Sequence, residues 1–240
     1  MRVSRQIGTF RLDRALLSLL MFGALLLAAR TWLADHPQHD PWAPLDLNDP
    51  PGWATQRKIA ALRGDPAECR AVLARSGIAF TALDPEGQGA CRTPDRTLLP
   101  DAPFSPARPH TTCAVAAAFS LWLQQGVQPA AQAQLGSGIA RIEHFGTYSC
   151  RRLYGRPDGP WSEHATGNAI DIAAFILKDG RRISVLRDWD REGPEAAFLR
   201  DARDNACETF GTVLSPDYNA AHADHLHLDQ AARGFGGVCR

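Results

Sequence analysis

The stretch Ser162-Glu163-His164-Ala165-Thr166-Gly167-Asn168-Ala169-Ile170-Asp171-Ile172-Ala173-Ala174-Phe175-Ile176-Leu177-Lys178-Asp179-Gly180 decides how this chain is read. Asn168 to Leu177 is a nearly continuous apolar run, and Lys178-Asp179-Gly180 turns it into Arg182–Leu186, a β-hairpin. Working outward, Gly138–Phe145 alternates Ala140 and Ile142 against Arg141 and Glu143 as a strand does, and His225–Leu228 reads as a last strand. Phe198, Ala202, Ala206 and Phe210 recur every four residues, so Pro194–Phe210 is a helix stopped by Gly211. Thr111 or Thr112 caps a helix over Ala114–Gln124 that the Gly126–Pro129 turn ends. Asp65 as N-cap and Pro66 at the first helical position open a helix to about Ala74, followed by a strand at Ile78–Leu83. Helices flank hairpins without βαβ alternation, so the fold class is α+β around a largely antiparallel sheet. No internal repeat is visible.

With 240 residues, the chain suits one globular domain plus attachments. It carries 26 basic and 26 acidic residues with no basic stripe, which argues against a nucleic-acid partner. Arg2, Arg5, Arg11 and Arg14 precede an apolar run, Ala15 to Ala29, broken by Arg30 and resumed by Trp32 and Leu33. That is an export signal with its basic side in the cytoplasm. Ala15–Ala29 alone fits a cleavable signal peptide, whereas Ala15–Leu33 as a helix spans about 28 Å, one bilayer core, and fits an anchor. Both readings place the rest in the periplasm, membrane-attached or free. Residues 1–14 are then a cytoplasmic basic segment, 15–33 the anchor or signal, 34–55 a Pro-rich tether and 56–240 the domain. The cysteines agree with export: Cys69, Cys91, Cys113, Cys150, Cys207 and Cys239 all follow the apolar run and none forms a C-x-x-C pair. Three disulfides are expected between sequence neighbours, Cys69 with Cys91, Cys113 with Cys150 and Cys207 with Cys239.

The chemistry lies in two segments, 162–171 and His222-Ala223-Asp224-His225-Leu226-His227-Leu228-Asp229. A metal site needs lone-pair donors converging from separate segments, and zinc favours imidazole nitrogen with carboxylate oxygen in a tetrahedron. A glycine turn can bring His164 and Asp171 together, and on a strand His225 and His227 point the same way. Two His and one Asp leave a fourth position for water, the mark of a catalytic rather than a structural site.

The pattern Ser162-x-His164-x-x-Gly167-x-Ala169-x-Asp171, followed by His225-x-His227, resembles the zinc superfamily of D-alanyl-D-alanine metallopeptidases, lysostaphin-type enzymes and hedgehog domains. More narrowly, Cys113-Ala114, Tyr148-Ser149-Cys150-Arg151, Ser162-Glu163-His164-Ala165 and Ala206-Cys207 resemble the bacterial extensin-like C-terminal domain, from about Cys69 to Cys239. The resemblance implies Zn2+ on His164, Asp171 and His227. It also implies His225 or Asp224 as the proton-transferring residue beside it, with Asp224 favoured as base. It makes Arg151 the partner of the substrate carboxylate or oxyanion, and Ser162 and His222 further substrate contacts. The implied function is a zinc peptidase acting on peptidoglycan stem peptides or cross-links. The rival is a wall-binding or scaffolding domain that keeps the metal site without turnover, as hedgehog domains do.

Overall fold

The computed structural model describes residues 6–232 and 237–240, so Arg2 and Arg5 of the basic flank lie outside the described residues. The order is α1 (Gln6–Asp35), α2 (Thr55–Ala61), α3 (Pro66–Arg75), β1 (Thr81–Leu83), β2 (Arg96–Leu98), β3 (Phe104–Ser105), β4 (His110–Thr111), α4 (Cys113–Leu121) and α5 (Gln128–Leu135). Then follow β5 (Ile139–Gly146), β6 (Ala169–Leu177), β7 (Arg182–Ser184), α6 (Val185–Asp188), α7 (Pro194–Cys207), β8 (Thr212–Leu214), β9 (Leu226–Asp229) and β10 (Val238–Cys239). Among the described residues the main sheet runs β10-β8-β9-β6-β5-β3, with β7 also paired to β6, and a small sheet is ordered β1-β2-β4. The central ladders β8–β9–β6–β5 are antiparallel, and only the edges β10–β8 and β3–β5 are parallel. The expected α+β class with a largely antiparallel sheet is what the chain forms.

β6 explains why its sequence does not alternate. Opposite the adjacent pair Glu143–His144 of β5 stand Ala174 and Ile172, so Ala173 is a bulged extra residue. The bulge flips the side-chain parity: Ile170 and Ile172 before it and Phe175 and Leu177 after it all enter one core. That core lies under α4, α5 and α7, where Trp122, Phe119, Phe175, Phe198 and Phe210 are essentially fully buried. Trp122 donates its Nε1 hydrogen to Ala202 O at 2.8 Å, so the large indole is buried with its polar atom satisfied.

Four expectations need correction. The helix capped by Thr112 does not stop at Gly126–Pro129: a π-helical segment, Trp122–Val127, carries it into α5. The wider turn accommodates Pro129, whose ring and missing N–H would interrupt a regular α-helix there. Gly126 serves close packing instead of a turn, since a Cβ there would lie 2.8 Å from Asn205 Cβ on α7. The segment 34–55 is no free spacer. Leu45 and Leu47 are buried in the core, and Leu47 N donates to Ser76 Oγ at 2.9 Å. Two of the three disulfides cross the expected order: the bonds are Cys69–Cys113, Cys91–Cys150 and Cys207–Cys239. The reason is spatial, because α3 carrying Cys69 packs on α4, which begins at Cys113. Finally, residues 185–188 form helix α6 rather than extending β7, because the Asp188 carboxylate accepts from Ser184 N at 2.7 Å and closes a turn.

Candidate metal centre

β6 and β9 build half of the site by register alone. Asp171 and His227 stand directly opposite each other in the antiparallel ladder. On β9, Leu226 and Leu228 enter the core, so His227 and Asp229 point to the other face, where Asp171 points as well. His164 arrives from a 3-10 turn, Glu163–Thr166, that leads into β6. Ser162 Oγ caps that turn by accepting from His164 N at 3.3 Å, and Gly167 closes it at φ 69°, a left-handed position suited to glycine.

His164 Nε2, Asp171 Oδ1 and His227 Nδ1 form a triangle with edges of 3.2 Å (His164–Asp171), 3.2 Å (His164–His227) and 2.9 Å (His227–Asp171). Ligand atoms about 2.05 Å from zinc in a tetrahedron stand roughly 3.3 Å apart, so the triangle matches one tetrahedral face. Among the described residues this is the set whose donor atoms could hold a metal ion. The outward nitrogens are committed. His164 Nδ1 lies 3.2 Å from Thr147 O, and His227 Nε2 lies 2.9 Å from Asp229 Oδ2. Each outward N–H donates to its oxygen, which turns both inward nitrogens into the triangle, where they would carry ligand lone pairs once deprotonated. Asp229 is itself fixed, 3 % exposed and accepting from Ala231 N at 2.7 Å. The donor set and its supports fit zinc.

The electrostatics of the protein alone agree. Burial would raise the Asp171 pKa, but hydrogen bonds from His164 and His227 overcome it and hold the carboxylate well below its usual range. Burial would lower that of His227, but Asp171 and Asp229 outweigh it and push it up to about 9. A divalent cation placed there would displace the His227 Nδ1 proton, between groups already arranged around positive charge.

The other expected site residues divide. His225 joins the cluster, its Nε2 3.6 Å from Asp171 Oδ1 and its Nδ1 2.8 Å from Asp224 Oδ1. Asp224 thus reaches His225 rather than the ligand triangle, because β9 begins only at Leu226 and the chain bends before it. His222 lines the site, with ring centroids 5.2 Å from His225 and 5.9 Å from His227. Burial, and then the neighbouring His225 and His227, lower its pKa to about 4, so its ring is neutral at neutral pH. Ser162 positions His164 through its cap. Arg151 bonds Ser162 N through its carbonyl at 3.1 Å, while its side chain lines a cavity of about 240 Å³ with Arg152, Arg156 and Trp161. No polar contact joins it to the ligand triangle among the described residues. Sequence reading gave no role to Asp229 or to the Thr147 carbonyl. The first was visible in principle, since position i+2 from His227 on a strand shares its face; a backbone acceptor has no sequence signal.

No curated protein sequence and no solved structure matches the chain. Residues 67–240, which include every member of the ligand cluster and its supports, match the family model described as Extensin-like protein C-terminus, and the chain belongs to that family.

Proposed function

We propose that this domain is a zinc-dependent peptidase of the D-alanyl-D-alanine metallopeptidase type, acting outside the cytoplasm on peptidoglycan stem peptides or cross-links. One observation carries the reading: three donor atoms with 2.9–3.2 Å edges, both imidazoles anchored through their outward nitrogens, and a further histidine beside them. Three disulfides in one domain support an oxidising compartment. Zinc held there supplies Lewis acidity, polarising a carbonyl and making a hydroxide nucleophile available near neutral pH.

The chain's own residues do the rest. His225 Nε2, facing the cluster, receives the proton released by the attacking water and returns it to the leaving amine nitrogen. The Asp224 carboxylate at His225 Nδ1 orients the ring and stabilises its imidazolium, so the two share the proton-transfer role. Neutral His222 and the Phe145 ring, 5.8 Å from that of His225, wall the cleft. Arg151, whose backbone carbonyl accepts from Ser162 N, would extend its guanidinium to a substrate carboxylate.

The test is incubation of the purified full chain, zinc-loaded or metal-stripped, with muropeptides and analysis of products by mass spectrometry. Zinc-dependent loss of a peptide bond is expected. A chain that binds zinc and retains muropeptides without cleaving them is the wall-binding module instead, and a chain that does not retain zinc refutes both.

A further inference from the structure

α1 includes a stretch, Leu12–Asp35, long and apolar enough to cross a membrane, about 36 Å as a helix. It does not hand over to a loose linker. Trp32, in its last turns, stacks on His36 with centroids 4.4 Å apart and on His39 at 5.2 Å, and meets Trp53 edge-on at 6.3 Å. His39 also meets Trp53 edge-on at 5.3 Å, and its carbonyl accepts from Trp53 Nε1. The backbones lock beside the rings. Ala54 N donates to Gln38 O at 3.3 Å, and Lys58 Nζ donates to Pro37 O at 2.7 Å. A Cβ on Gly52 would stand 2.6 Å from Gln38 O, so glycine permits this approach. Trp53 lies two residues before α2, whose Ile59 is fully buried in the core. The end of the apolar helix and the start of the domain are one packed unit.

Two indoles of this unit are nevertheless open: Trp53 is 73 % exposed and Trp42 87 % exposed. We propose that Trp32, Trp42 and Trp53 form an interfacial seat that holds the domain directly on the bilayer crossed by α1, the helix being a retained anchor. The inference rests on α1 as a membrane span. A span ending at Asp35 puts Trp32 at the membrane–water boundary, where an indole keeps its ring in the apolar layer and its N–H near water. Trp53, with its ring 6.3 Å away, shares that depth to within the same distance. Trp42 lies three residues beyond His39, within a reach of about 10 Å. Exposed Arg57 follows Trp53 by one helical turn, at the level of lipid phosphates. Lipid is the occupant because the patch continues the exposed leucine surface of α1, where Leu16, Leu19, Leu25 and Leu27 are each more than half exposed.

The experiment uses the full chain in nanodiscs of phosphatidylcholine brominated near the glycerol end of the acyl chains, with unbrominated discs as reference. Trp122 and Trp189 are buried in the core, and Trp161 is common to both proteins, so the difference in quenching between wild type and variant reports Trp42 and Trp53. Wild type is expected to lose about half of its emission, and Trp42→Phe/Trp53→Phe to reduce that quenched fraction to the share of Trp32. Equal quenched fractions in wild type and the double variant overturn the seat. Intact mass of the membrane-extracted chain separates the two layers of the argument. A mass lacking the apolar helix overturns the anchor and the seat together, whereas full mass with unchanged quenching overturns the seat alone.

Discussion

Asp229→Asn removes one charge from the metal centre's support without changing its shape. Asp229 Oδ1 is committed to Ala231 N at 2.7 Å, so the new amide keeps its oxygen there and turns its NH2 toward His227 Nε2, where Oδ2 stood at 2.9 Å. Two donors then face each other beside a side chain only 3 % exposed. A singly protonated imidazole escapes by keeping its proton on Nδ1, the nitrogen 3.2 Å from His164 Nε2 that would carry the ligand lone pair. Either way zinc binding meets a cost. Loss of such an outer partner lowers metal affinity about 10–100-fold, or about 1.4–2.7 kcal/mol. Competition against a chromophoric zinc chelator at fixed pH measures it directly. Circular dichroism of the metal-free protein checks that the fold is retained. A zinc affinity within twofold of wild type would refute the argument that Asp229 selects the His227 tautomer.

Other consequences are testable in parallel. Asp224→Asn is expected to keep zinc, since its carboxylate contacts only His225 among the cluster, yet to slow muropeptide cleavage about 10²-fold; wild-type turnover would remove Asp224–His225 from proton transfer. Non-reducing peptide mapping should return Cys69–Cys113, Cys91–Cys150 and Cys207–Cys239. Replacing both Cys69 and Cys113 by Ala should lower unfolding free energy by about 4 kcal/mol in the chain-entropy model for a link spanning 44 residues, and an unchanged denaturant midpoint would contradict it. Gly126→Ala gains about 1 kcal/mol of helix propensity but sets a Cβ 2.8 Å from Asn205 Cβ, an overpacking cost of about 1–3 kcal/mol. A lower melting temperature is expected, and a raised one would show that α7 yields freely. A reporter active only outside the cytoplasm, fused after Arg240, should be active; activity of a cytoplasmic reporter instead would reverse the topology.

The sequence by itself determined the local elements and singled out the candidate donors. The four-residue repeat of Phe198, Ala202 and Ala206 lies within α7, and the Asp65-Pro66 start opens α3 with Asp65 Oδ1 accepting from Glu68 N. His164, Asp171 and His227 stood out because few chemistries ask for imidazole and carboxylate at that spacing around a glycine turn. Periodicity and capping are properties of neighbours along the chain, so they are legible there. What spans the chain was decided only by tertiary structure. Cys69 meets Cys113 because two helices pack, and no spacing rule encodes which helices do. Ala173 is a bulge because β5 and β6 must bring both halves of β6 into one core, so alternation vanished from the sequence where it was sought. Gly126 resembles a turn residue in sequence and is a contact residue in space. At the candidate metal centre, the cross-strand register sets Asp171 beside His227, and the carboxylate of Asp229 behind the ring anchors its outward nitrogen. A lone pair's direction depends on partners that folding alone brings within 3 Å.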